Sequence, residues 1–508
     1  MTLLAEKKFH LFVFSVFFLI ASVFGNESIP IRHLITDFNI AEILFLYNSS
    51  DEFFRTPNTS IRITLFILGS SLLFISFVMR ASTSLSNKKN ISSIFNILLL
   101  IFFISIVVTE NIYNISAILI ILISTVFTIF FSTKRFNKYE MNLLLSYFIF
   151  FLYPFFTTTY HETSLSELDN YLRFMLAIPI YITLRELNIS YNAVSFSFMF
   201  GCLFSGLVSI LFFIDSGQST RVYTSSTSIF GAISLVLLLL TISSKEYYFN
   251  QFKNHKNLFY VSIAMGLIAV FLSGSRSLLF PLIIFIIYLF FSKSELLRIN
   301  KFVLSLLVIS ITSLMLILNL PIMKRIYNSY DSTYNYLTEG SQHYYLHQDS
   351  IVPRINIWKG SINIIKSNPI YGIGLNNYTV ELDKQIRSKK ISPIKNNPDN
   401  PSAGMNHAHN QYLDVYVKTG LVGLLLLIYF IYSHYIFYKY KFSIKYNANN
   451  HISLLGNVAL ICFCIIMLFN TILAHQQLTL FMVFIMMTLS ALKSNILWTS
   501  WYWKNYIS

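Results

Sequence analysis

The chain has 508 residues, of which 55% are hydrophobic and 12% charged, with a mean hydropathy of +0.60. Soluble domains carry about 25% charged residues, so half that share excludes a chain whose surface lies mostly in water. The formal net charge of +15 does not point to nucleic acid, because Lys and Arg concentrate in short loops between apolar runs, as in membrane proteins.

Apolar runs of roughly 17–25 residues, enough to cross a hydrocarbon core of about 30 Å, recur along the chain. They predict spans near 9–24, 61–79, 91–109, 115–132, 141–158, 171–187, 192–214, 226–243, 258–272, 277–292, 301–320, 417–438, 452–473 and 476–492. The fold class is therefore an all-α polytopic membrane protein of about 12–14 transmembrane helices, with one large periplasmic loop subdomain containing short helices. Lys7 and Lys8 before the first apolar run resemble a signal peptide. No small-x-small cleavage site closes that run, so an uncleaved first helix is expected. Cys202, Cys462 and Cys464 all fall inside apolar runs, which leaves no loop disulfide framework or loop metal site for them to build.

Charge sets the topology. With a cytoplasmic N-terminus, inside loops carry Arg80/Lys88/Lys89, Lys134/Arg135/Lys138, Lys245/Lys253/Lys256, Lys293/Arg298/Lys301 and Lys439/Lys441/Lys445. The outside segments TENIYN (109–114) and TTTYHETSLSELDN (157–170) have no Lys or Arg, as the positive-inside rule requires. The chain divides into an N-terminal helix and extension (1–60), a helix bundle (61–320), a large outer loop (321–416), and C-terminal helices with a cytoplasmic tail (417–508). A loop of this length in a compact fold is usually functional or disordered. Inside it, IWKGSINIIKSN (357–368) has helical periodicity, with Ile357, Trp358, Ile362, Ile364 and Ile365 near one face. This helix is expected to lie on the membrane surface, to stop at Pro369, and to turn at Gly372 and Gly374. The Pro/Asn-rich stretch 392–406 reads as a linker or a mobile lid, the linker being favoured.

Three arginines stand where outer connections are otherwise stripped of positive charge: Arg173 at the start of the sixth span, Arg221 in DSGQSTRVYTS and Arg276 in SGSRS. A charge at a span end is a functional candidate by default. Together with Arg354 in the long loop, the three suggest a shared anion site. Arginine's planar fork suits phosphate oxygens, although a carboxylate or sulfate would fit as well, and each residue alone also reads as an interfacial anchor. The second group is MNHAHNQYLD (405–414). His407 and His409 share one face only if the backbone is extended or irregular. A near-neutral histidine suits proton removal from a sugar hydroxyl. Metal binding by the pair is the competing reading, with His343, His347 and Asp349 as recruits, and surface histidines without a role are a third.

The series SGSRS, then PRINIWKGSINIIKSNPIYGIGLNNY (353–378), then HAHNQYLDVYVKTGLVG (407–423) resembles the shared region of O-antigen ligases and O-antigen polymerases. The resemblance covers roughly residues 220–440. Upstream, YHETSLSELDNYLRFMLAIPIYITLRE (160–186) is more similar to the ligase branch. The resemblance implies a glycosyltransferase of the bacterial inner membrane that moves glycan from an undecaprenyl diphosphate carrier to lipid A-core or another acceptor at the periplasmic face, with no metal or other cofactor. Arg221 and Arg276 would hold the donor diphosphate, Arg354 would support the site, and His409 would be the base. The chain departs from the pattern in its N-terminal extension and in the insertion before the histidines, which leaves His407 open as the base. His407, further into a Gly- and Asn-containing stretch, is expected to be the less tightly placed of the two. Within the enzyme class a polymerase or a protein-glycosylating ligase competes. From another class, a flippase or transporter would place its polar groups near the midplane, whereas here mid-span positions are almost wholly apolar.

Reporter fusions at Asn397 and Asn447 are expected to report opposite sides of the membrane; the same side for both would overturn the topology.

Overall fold

A computed structural model describes residues 88–109, 112–131, 136–162, 168–216, 226–245, 248–249, 256–278, 280–285, 351–394, 402, 404–440 and 447–506, with isolated positions 327, 330, 331, 334 and 338. The spans expected near 9–24, 61–79 and 301–320, together with Arg221, His343, His347 and Asp349, lie outside the described residues. Among these residues the secondary structure is helical, without strands. The helices are α1 (Lys88–Val108), α2 (Ile112–Phe131), α3 (Lys138–Tyr160), α4 (Asp169–Leu187), α5 (Tyr191–Ser216), α6 (Thr227–Ser243), α7 (Lys256–Leu272), α8 (Ile351–Ser367), α9 (Tyr378–Arg387), α10 (Gln411–Lys439), α11 (Asn447–Phe469) and α12 (Gln476–Tyr506), with short 3-10 turns at Arg276–Leu278 and Ile472–Ala474. Seven of them, α1, α2, α3, α5, α10, α11 and α12, are long and apolar enough to cross a membrane, and α6 and α7 are shorter apolar helices. The chain is a multi-pass membrane protein.

Side-chain pairs fix how the helices run. α3 and α10 are antiparallel, because Tyr153 reaches the Thr419 carbonyl at one end while Ser146 meets Ser433 and Tyr147 meets His434 further along. α4 and α12 are parallel: Asn170 binds the Leu473 carbonyl at one end and Asn495 binds the Leu184 carbonyl at the other. One end of the bundle therefore gathers the C-terminus of α3 with the N-termini of α4, α10 and α12.

The opposite end holds a buried polar cluster. Arg185 pairs with Glu140 at 2.8 Å, and both side chains are fully buried. Tyr181 donates to the same carboxylate and also meets Ser494. Lys493 donates to the carbonyls of Phe437 and Tyr438 at the end of α10, where a cation complements the unsatisfied carbonyls of a helix C-terminus. The sequence reading counted mid-span positions as almost wholly apolar. These charges sit near span ends in sequence, and packing seals them between helices.

Helices α8 and α9 form a second core of their own. Ile357 and Ile364 on α8 meet Tyr378, Leu382 and Ile386 on α9, together with Ala408 and Val417. The Ile357 and Ile364 face of α8 is covered by protein, and one expectation is corrected. Ile362 is 47% exposed, because it lies about 140° round the helix from Ile357, and the buried stripe runs through Ile357, Gly360, Ser361 and Ile364.

A backbone exchange ties this unit to α10. At 29 residues α10 is about 43 Å long, more than a hydrocarbon core of about 30 Å. Gly420 interrupts it with φ 70 and ψ −169, a conformation that is essentially glycine-only. Leu421 donates its N–H to the Pro369 carbonyl at 2.9 Å and not to Val417, whose carbonyl accepts from Ile373 at 3.0 Å; the Lys418 carbonyl accepts from Gly374 at 2.9 Å. The turn after α8 thus supplies the hydrogen bonds that the break removes from the helix. A Cβ on Gly420 would lie 2.0 Å from the Ile370 carbonyl oxygen, and one on Gly372 would lie 2.6 Å from the Gly420 nitrogen. The residues beyond the break, 421–439, span about 28 Å, which matches the bilayer core.

Gly420→Ala is expected to unseat this joint, with backbone strain of about 1–3 kcal/mol added to the clash with Ile370. The detergent-purified variant should melt well below wild type in a thermal-shift assay; an unchanged melting temperature would show that the two segments are not interlocked.

Candidate functional site

The site is built on the start of α10. Asn410 is the N-cap, extended at φ −152 and ψ 117, and its side chain accepts from the Leu413 N–H. Asp414, in the first turn, accepts from the Ala408 N–H at 3.0 Å and pairs with Lys418 at 3.1 Å, one turn on. The indole N–H of Trp358 on α8 donates to the Ala408 carbonyl at 2.9 Å. Both backbone groups of Ala408 are therefore held, one by α10 and one by α8. His409 then turns left-handed, with φ 51. This irregular turn brings the His407 and His409 rings to 4.2 Å between centroids, edge to face at 79°, which a regular helix would not allow.

The contact between the two histidines has a chemical consequence. The backbone N–H of His409 donates to Nδ1 of His407 at 3.3 Å. With Nδ1 accepting, the proton of a neutral His407 resides on Nε2. Burial, followed by the nearby His409, His475, Lys418 and Arg354, lowers the His407 pKa to about 2. Burial, followed by Arg354 and His475, lowers that of His409 to about 4. The expectation that His407 is the looser of the pair is reversed: it is 8% exposed and locked through Nδ1, whereas His409 is half-buried.

A third ring completes the group. His475 lies edge-on to His407 at 5.4 Å between centroids, and burial lowers its pKa. Its turn is pinned from two sides. Gln411 accepts from the Leu473 N–H at 2.8 Å, and Asn170 donates to the Leu473 carbonyl at 2.7 Å. Sequence reasoning missed His475. The available signal was the short polar break NTILAHQQ (470–477) between two apolar spans, which is unremarkable until folding sets it against HAHN.

The predicted arginines are placed as follows. Arg354 projects from α8, close enough to perturb both His407 and His409. Arg173, on the first turn of α4, is engaged with Asp169, Asn170 and the Gln476 carbonyl, so it grips the turn that carries His475. Arg276 opens the 3-10 turn between α7 and the helical residues 280–285, where Phe280 stacks on Phe469 at 4.9 Å. The neighbouring Leu468 carbonyl accepts from the Asn410 side chain, which puts the Arg276 turn at the same end of the bundle as the histidines. Among the described residues no group of three or more His, Cys, Asp or Glu is placed to hold a metal ion.

Residues 261–428 match the family model described as O-Antigen ligase. This part of the chain is similar to an O-antigen ligase domain. The domain runs from α7 into α10 and contains Arg276, Arg354, His407 and His409; Arg173, Arg221 and His475 fall outside it. An uncharacterized protein of Haemophilus influenzae is 23% identical over 383 residues, covering 75% of this chain and 90% of that protein. The domain supports the O-antigen ligase and polymerase superfamily, the two branches together, and with it a membrane glycosyltransferase-type function in O-antigen biosynthesis whose partners in general are a lipid-linked glycan and an acceptor.

Asp414→Ala should release the Ala408 N–H and leave the nearly buried Lys418 without its carboxylate, at a cost of about 3–5 kcal/mol. Asp414→Asn, which keeps an acceptor for Ala408, should recover part of the lost melting temperature. Equal loss in both variants would mean that the ion pair alone, and not the loop anchor, carries the effect.

Proposed function

We propose that this protein is an O-antigen ligase-type glycosyltransferase, moving a glycan from undecaprenyl diphosphate to a hydroxyl of lipid A-core at the periplasmic face of the bacterial inner membrane. The observation that carries the reading is the backbone N–H on Nδ1 of His407. It occupies the basic nitrogen of His407 and leaves His409 as the ring able to accept a proton. In this mechanism His409 takes the proton of the acceptor hydroxyl as its oxygen attacks the anomeric carbon. The bond from that carbon to the diphosphate oxygen breaks on the opposite face, inverting the centre. The leaving diphosphate keeps its electron pair and is held by Arg221 and Arg276, with Arg354 supporting the site. Such donors stabilise the charge that develops as the bond breaks, and arginine does so through a two-pronged fork that lysine lacks. Arg173 contributes by holding the His475 turn.

Two measurements test this on purified protein with carrier-linked glycan. General base assistance is worth about 10²–10⁴-fold, so His409→Ala should lose most turnover, His407→Ala less, and both should still bind donor. Arg276→Lys should rescue poorly. Normal turnover by the His409 variant, or a reaction stopped by chelator and restored by a divalent metal, would overturn the assignment. The pH profile follows from the direction of the shift. A base works when unprotonated, and the His409 pKa is held down at about 4. The rate should therefore persist well below the ordinary imidazole value of about 6.5 and fall only as pH drops through the lower value. An acid limb at the ordinary value would contradict a buried base beside Arg354.

The domain match spans both branches of the superfamily, and a deletion strain separates them. The ligase reading expects free lipid A-core with accumulated carrier-linked polymer; core bearing a single repeat unit would favour the polymerase.

A further inference from the structure

At the turn between α11 and α12 lie three buried polar atoms that neither the packing nor the mechanism above uses. Gln411, Asn470 and Thr471 are almost completely buried, at 0, 4 and 0% exposure. The Gln411 Nε2, Asn470 Nδ2 and Thr471 Oγ1 atoms have no hydrogen-bond partner. Buried polar atoms are nearly always paired, and each exception calls for a reason. These three are neighbours: Gln411 accepts from the Leu473 N–H, and Asn470 and Thr471 lead directly into that turn. The turn ends at half-buried His475, whose ring packs on His407.

The chemistry of the group points to its ligand. An amide, a hydroxyl and an imidazole both donate and accept without formal charge, which suits sugar hydroxyls better than a phosphate. The segment 470–477 contains no Lys or Arg. The nearest described cation bound to it, Arg173, is engaged with Asp169, Asn170 and the Gln476 carbonyl. The groups of this turn left for a ligand are therefore neutral ones.

We infer that Gln411, Asn470, Thr471 and His475 form a subsite that reads the hydroxyls of the acceptor sugar, beside the histidine that deprotonates it. The inference rests on the base assignment to His409, because the sugar nearest the base is the acceptor. Its residues determine specificity: they hold the acceptor and do not take its proton.

Thr471→Val and Asn470→Leu test it in the full-length protein. Replacing an unpaired buried donor by an apolar group of similar shape removes a desolvation penalty, so neither variant should melt below wild type. With purified lipid A-core as acceptor and carrier-linked glycan as donor, each should raise the acceptor KM by about tenfold, the worth of one hydrogen bond. Donor KM and kcat should stay within about twofold, far inside that tenfold step. An unchanged acceptor KM, or a rise in donor KM alone, would overturn the subsite. A lowered melting temperature with unchanged kinetics would assign these groups a structural role instead. Soluble core oligosaccharide gives a readout independent of turnover. It should raise the melting temperature of wild type and of His409→Ala, and fail to do so in Thr471→Val and Asn470→Leu. No shift in wild type overturns the subsite even if transfer is normal. A shift in wild type that both subsite variants lose, alongside full turnover by His409→Ala, overturns the base assignment and keeps the subsite.

Discussion

Everything at the polar end of this bundle depends on a helix that is broken and repaired by another segment. At Gly420 the hydrogen-bond ladder of α10 stops, and the carbonyls of Val417 and Lys418 are taken over by Ile373 and Gly374. A membrane helix cannot leave such groups open, because unpaired backbone in a low-dielectric setting costs several kcal/mol each. The turn after α8 is therefore a structural part of α10. This makes the nine residues before the break a platform, rigidly joined to the span yet outside its regular course, on which the histidine-bearing loop is mounted.

The platform fixes the histidines through single, traceable contacts. Asp414 holds the N–H of Ala408 and Trp358 holds its carbonyl, so the residue between the two rings has no freedom left. The left-handed His409 then sets its own N–H on the neighbouring ring. Burial, with Arg354 nearby, lowers the pKa of both rings, and Lys418 adds to the shift of His407.

Charge is distributed with the same economy at the two ends. Arg185 and Glu140 neutralise each other in the interior, and Lys493 caps the last carbonyls of α10. These groups join helices. At the other end Arg354 and Lys418 lie near the histidines, and the Gln411 Nε2 and Asn470 Nδ2 atoms have no hydrogen-bond partner. A buried polar atom without a hydrogen bond calls for a reason.

The amino-acid sequence by itself determined the membrane class, the order of spans within the described region, the helix at 357–367 and its stop at Pro369, and the candidate residues Arg276, Arg354, His407 and His409. These are legible because span length, charge bias, helical period and turn residues act over a few consecutive positions. Only the tertiary structure decided that His407 is the locked ring and His409 the open one, since one backbone N–H and one φ value make that difference. It alone brought in His475, 66 residues beyond His409, and set Ile357 and Ile364 of α8 against α9. It also gave Gly420 its meaning: a glycine before an apolar run looks like any small residue at a helix contact until the carbonyl of Ile370 is seen 2.0 Å from where a side chain would begin. Contacts between residues far apart in the chain leave no periodic trace, because periodicity records which face is buried and never what buries it.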